Sequence, residues 1–135
     1  MSNPVTGHAP SLDDLAEIAG HAFTALPEAF RRLAGEVVIR VDDFPEADVL
    51  AELGMEDPFG LTGLYSGVSL AERSGFGAEP EPSRIFLYRR PILDEWAENG
   101  EVTLEELVTH VLIHEIGHHF GLSDPDIDAI EAATE

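Results

Sequence analysis

The sequence predicts a single small α+β domain, a mixed three-stranded sheet packed against helices. Three observations predict it. Both ends of the chain repeat apolar residues at helical spacing, while the middle holds short β-branched and aromatic runs. The 135 residues suffice for one modest core but not for two lobes. At 44% hydrophobic and 25% charged, the composition is that of an ordinary globular chain.

Residues 1–10 lack periodicity and read as a flexible tail, leaving 11–135 as the domain. Ser11 and Asp14 resemble a capping box ahead of Leu15, Ile18, Ala19, Ala22, Phe23 and Leu26, one helical face. After Pro27, Phe30 and Leu33 predict a second short helix ending at Gly35. The nearly continuous β-branched run Val37 to Val41 suits a buried central strand. Ala47 to Leu53, closed by Gly54, reads as a short helix, and Leu64 to Leu70 as a strand weakened by Gly67.

Residues 74–83 combine glycine, proline and serine and form the most flexible-looking interior stretch. Arg84 to Arg90 then alternates as a strand, with Pro91 ending its donor pattern and a helix expected from Ile92 to Ala97. Thr103 and Glu106 form a second capping box for a helix over about 103–119, whose apolar face is Leu104, Leu107, Val108, Val111 and Leu112. Gly121 ends that helix, and another opens at Pro125.

Formal net charge is -20, and all seven basic residues are arginine. Such a field repels nucleic acid and anionic lipid and favours cations. Nucleic-acid and membrane partners are therefore not expected. The chain has no cysteine, which excludes disulfides, thiolate ligands and a cysteine nucleophile, so any metal must be bound through nitrogen and oxygen. Neither a secretory signal nor a membrane-length apolar run is visible, so a cytoplasmic, monomeric protein is the default expectation.

The chemistry is concentrated in His114-Glu-Ile-Gly-His118-His-Phe-Gly121-Leu-Ser-Asp124. Residues four apart on a helix share a face, so His114 and His118 can present both imidazoles to one ion. Glu115, beside the first ligand, is placed to act as general base on a water whose pKa zinc lowers to about 7. A catalytic zinc needs a third protein ligand, and Gly121 permits the turn that swings Asp124 back toward the ion. Asp124 before Pro125 is also what a helix N-cap looks like, and Glu131 is the fallback ligand. The His-Glu core alone arises by chance in about 1% of chains of this composition, and Gly and Asp at their offsets lower that by roughly two orders of magnitude.

Around this core, His110 lies one turn before His114, where it either touches substrate or serves as a structural histidine, while His119 points elsewhere. Tyr65 and Tyr88 are candidates for polarising a substrate carbonyl, or core residues with a hydroxyl at the surface. Arg89 and Arg90 either hold a substrate carboxylate or pair with the acidic surface.

These residues resemble the minimal zincins, small bacterial zincin-like metallopeptidases. The likeness rests on His114 to Asp124 and extends to Arg84-Ile-Phe-Leu-Tyr-Arg-Arg-Pro-Ile, Gly63-Leu-Tyr-Ser-Gly and Val41-Asp-Asp-Phe-Pro. The resemblance implies that His114, His118 and Asp124 bind Zn2+, that Glu115 is the catalytic base, and that strand 84–90 is a sheet edge where an extended peptide pairs by strand addition. The chain departs from the larger metzincins in lacking a methionine turn, since Met1 and Met55 both lie upstream. With eleven residues after Asp124, a shallow cleft open on its primed side is expected, suited to peptides or small unfolded proteins. The expected function is a zinc-dependent metallopeptidase; the alternative is a catalytically silent zinc-binding or protein-interaction module on the same scaffold. An oxygen ligand also admits manganese, cobalt or nickel.

Overall fold

A computed structural model describes residues 9–66 and 83–134. Residues 1–8 of the predicted 1–10 tail, residues 67–70 of the second predicted strand and residues 74–82 of the 74–83 stretch lie outside the described residues.

Helix α1 (Leu12–Thr24) starts at the expected capping box: the Asp14 amide donates to Ser11 Oγ at 3.1 Å and the Ser11 amide to Asp14 Oδ2 at 2.9 Å. It buries Leu15 and Ala19. Helix α2 (Glu28–Ala34) is closed by Gly35, whose φ of 70° lies in the region that only glycine enters freely. Strand β1 (Val37–Asp42), helix α3 (Ala47–Leu53), a single 3-10 turn (Pro58–Gly60) and strand β2 (Gly63–Ser66) come next. Strand β3 (Ser83–Tyr88) runs straight into helix α4 (Arg89–Glu98). Helix α5 (Leu104–His119) and helix α6 (Asp124–Thr134) complete the fold. Among the described residues, no helix is long and apolar enough to cross a membrane.

The sheet order is β1-β3-β2, with β3 parallel to β1 and antiparallel to β2. This corrects two expectations. Strand β3 is not an edge but the central strand, and the Val37–Val41 run is not central but an edge among the described residues. The burial pattern gives the reason. Ile85 and Leu87 of β3 are fully buried, whereas β1 alternates between half-buried and exposed residues, with Val38 46% exposed. A run of β-branched residues reads as two buried faces, but here only the face toward α1 enters the core.

Strand β3 also ends two residues earlier than its alternation suggests. The Arg90 amide donates to the Asp43 carbonyl at 3.0 Å, Arg89 Nη1 pairs with the Asp43 carboxylate at 3.1 Å, and Arg89 Nε donates to the Pro10 carbonyl. These bonds turn the chain into α4, where Pro91 stands in the first turn and no intrahelical amide bond is needed. Arg89 is therefore engaged in salt pairing, one of its two expected uses.

Helix α5 is the axis of the core. Its own capping box holds, with the Glu106 amide 3.0 Å from Thr103 Oγ1 and the Thr103 amide 2.8 Å from Glu106 Oε1. Val108, Leu112, Ile113 and Ile116 are fully buried against α1 and the sheet. Two glycines set how closely its neighbours approach. A Cβ on Gly63 would lie 2.7 Å from Val111 Cγ1, and one on Gly117 would lie 2.7 Å from Ile127 Cγ1. So β2 rests directly on α5 from one side, and α6 rests on it from another.

Candidate metal centre

The side chains of His110, His114 and His118 succeed one another along α5. Ring centroids are 4.0 Å apart for the first pair and 5.7 Å for the second. The helix stops at Phe120, and Gly121, at a φ of 75°, reverses the chain. Bonds from the Gly121 amide to the His118 carbonyl and from the Leu122 amide to the Gly117 carbonyl fasten this turn at 3.1 and 2.9 Å.

Helix α6 then runs back along α5. Its cap is Ser123: the Asp126 amide donates to Ser123 Oγ at 3.2 Å, and the Ile127 amide to the Ser123 carbonyl at 3.0 Å. Asp124 is thereby the first helical residue, and its carboxylate is not consumed as the cap. Asp124 Oδ1 instead lies 3.5 Å from His118 Nε2. Two helical turns further on, Glu131 Oε1 lies 3.1 Å from His114 Nε2, and Glu131 Oε2 lies 2.8 Å from His110 Nδ1. Fully buried Ile127, seated on Gly117, fixes α6 at the spacing that makes these approaches.

Glu115 faces a different neighbourhood. Burial pushes its carboxyl above the ordinary glutamate value, opposed less strongly by the backbone amide of Tyr65 and the charge of His118. Tyr88 is 3% exposed, and burial, followed by the charges of Asp42, Glu46 and Glu115, raises its phenol. Burial alone would raise the Glu131 pKa, but hydrogen bonds and attraction from His110 and His114 outweigh it and hold the carboxyl below its usual range. Burial lowers the His119 pKa, and that ring stacks on Tyr65 with centroids 4.2 Å apart, away from the other three histidines. The Tyr65 hydroxyl donates to the Ala34 carbonyl at 3.4 Å, so this tyrosine meets the site through its main chain.

The fold thus gathers His110, His114, His118, Asp124 and Glu131 along the α5–α6 contact, with Glu115 beside them. Donor atoms of His110, His114 and Glu131 all lie within 4.8 Å of one another, close enough to hold a metal ion. Sequence reading missed the Ser123 cap and the two glycine contacts. A serine directly before Asp-Pro was the signal for the cap; the glycine contacts depend on residues remote in sequence and left none.

No curated protein matches the chain. The zincin-like metallopeptidase family matches residues 34–134, from the end of α2 through α6, and so spans every element that carries a residue of this centre. With two helical histidines, an adjoining half-buried glutamate and carboxylates returned by a glycine turn inside that match, the chain belongs to the zincin-like metallopeptidases.

Proposed function

We propose that the protein is a zinc-dependent metallopeptidase in which His114, His118 and Asp124 hold the ion and Glu115 is the general base. The observation that carries this reading is the return of Asp124 to His118, with its carboxylate freed from capping by Ser123. Two imidazole nitrogens and one carboxylate oxygen are a donor set that suits zinc and leaves a coordination position open. Zinc, when bound there, supplies Lewis-acid polarisation of water and of the scissile carbonyl.

The chain's own groups do the rest. Glu115, with its carboxyl pKa raised above the ordinary glutamate value by burial, accepts a proton from the attacking water and delivers it to the departing amine. Strand β2, the other edge of the sheet among the described residues, offers the peptide-binding edge in place of β3. The bond from the Tyr88 amide to the Thr62 carbonyl puts Thr62, Leu64 and Ser66 at the positions bonded to β3. The main-chain groups of Gly63 and Tyr65 consequently face away from β3, and the Tyr65 amide points to Glu115. An extended peptide paired with that edge has its carbonyl carried past the base. Short or unfolded peptides are the substrates this edge takes.

The test is metal content together with hydrolysis of a broad peptide library by wild type, Asp124→Ala and Glu115→Gln. One zinc per chain in the wild type, loss of hydrolysis in Asp124→Ala, and hydrolysis reduced about 10²–10⁴-fold in metal-loaded Glu115→Gln support the reading. Zinc binding without cleavage of any library peptide leaves a zinc-binding module on a zincin scaffold. No zinc uptake at all refutes the metal centre.

A further inference from the structure

Three histidines stand one turn apart on one side of α5, in the run His110-Val-Leu-Ile-His114-Glu-Ile-Gly-His118. The four-residue relation that lets His114 and His118 share a cation holds equally for His110 and His114. The acids on α6 repeat at a matching interval. Asp124 and Glu131 are seven residues, or two helical turns, apart and project from the same face. As α6 returns along α5, Asp124 meets His118 while Glu131 meets His114 and His110.

The geometry points to a second seat for a divalent cation, made by His110 Nδ1, His114 Nε2 and the Glu131 carboxylate, and overlapping the first through His114. The carboxylate stands 2.8 Å from the first nitrogen and 3.1 Å from the second. Donors on a tetrahedral ion with bonds of about 2.0–2.1 Å lie about 3.3 Å apart, so small side-chain movements admit a first-row metal. An ordinary ion pair needs one imidazole; here one carboxylate faces two, stacked 4.0 Å apart.

The two seats differ in the residue directly after the first histidine of each pair. In the first seat it is Glu115; in the second it is Val111, 4% exposed and packed against Gly63. A cation in the second seat has no base in the corresponding position. His114 Nε2 serves one ion at a time, so the two seats fill alternately. The catalytic meaning of the first seat rests on the proposed function; the second seat is a matter of binding alone.

Cobalt(II) titration of the full chain, followed by equilibrium dialysis and the visible absorption of the bound ion, tests this. His118→Ala removes the first seat and spares the core, because His118 is 56% exposed. The variant is expected to keep one cobalt per chain with a changed absorption spectrum. Adding Glu131→Gln or His110→Ala to it is expected to weaken binding by a further factor of about 10–100 or more. If His118→Ala takes up no cobalt while wild type binds one, the second seat is refuted and the proposed catalytic centre stands. Equal binding in His118→Ala with and without the added substitutions also refutes the second seat. Failure of wild type to bind cobalt or zinc refutes both.

Discussion

Gly117→Ala sets two physical effects against each other at one position. Within a helix, alanine is favoured over glycine by about 1 kcal/mol, so propensity alone makes the substitution stabilising. The added methyl, however, would sit 2.7 Å from Ile127 Cγ1 and 2.9 Å from Cδ1, against the 3.5–4.0 Å at which carbons pack well. Relief requires about 1 Å of movement, and Ile127 is fully buried with no free side to move into. Overpacking of this kind costs about 1–3 kcal/mol. The clash is expected to win, with a net fall in Tm of a few degrees, about 3–4 °C for each kcal/mol in a domain of 135 residues. The same 1 Å shift draws Asp124 and Glu131 away from their histidines, so zinc affinity is expected to fall about 10–100-fold. Thermal unfolding and zinc titration are measured in a double-mutant cycle with Ile127→Ala, which removes the side chain the methyl strikes. In that background Gly117→Ala is expected to be neutral or stabilising. A raised Tm with unchanged zinc affinity in the single variant refutes the claim that the Gly117–Ile127 contact positions α6.

Zinc at a thousandfold excess over its dissociation constant is expected to add about 4 kcal/mol to stability, read as a Tm that falls on chelation and recovers on readdition; His114→Ala is expected to abolish the difference. Tyr88 carries a phenol raised above 10.0 in the folded state, so the fold binds this proton more tightly than the unfolded chain does. Its contribution is therefore complete below pH 10 and is lost as pH rises above it, and Tyr88→Phe is expected to flatten the alkaline fall in Tm; an unchanged alkaline limb counts against the burial of this hydroxyl.

Local signals made the helices legible. Ser11 with Asp14 and Thr103 with Glu106 are reciprocal caps, which act over three residues and are visible in any window. Gly35, Gly54 and Gly121 mark chain reversals for the same local reason. His114, Glu115 and His118 were legible because a helix fixes their relation. Strand order was not, because β1 and β3 are both apolar runs and only tertiary packing decides which has partners on both sides. Asp124 reads in sequence as cap or ligand, and only the fold shows that Ser123 takes the cap. Glu131 joined His110 and His114 through a helix–helix contact whose register depends on Gly117.

Among the described residues of α6, only Ile127 is fully buried. Ile130 packs partly buried against the core, and the carboxylate–histidine approaches add polar attachments to α5. Of the elements that carry site residues, α6 has the smallest buried anchor, and segments of that kind open locally at a fraction of the global unfolding free energy. The centre can then be taken apart and rebuilt while α5 and the sheet stay folded. Amide hydrogen exchange would register this as fast exchange in α6 beside slow exchange in α5, with bound metal closing the gap.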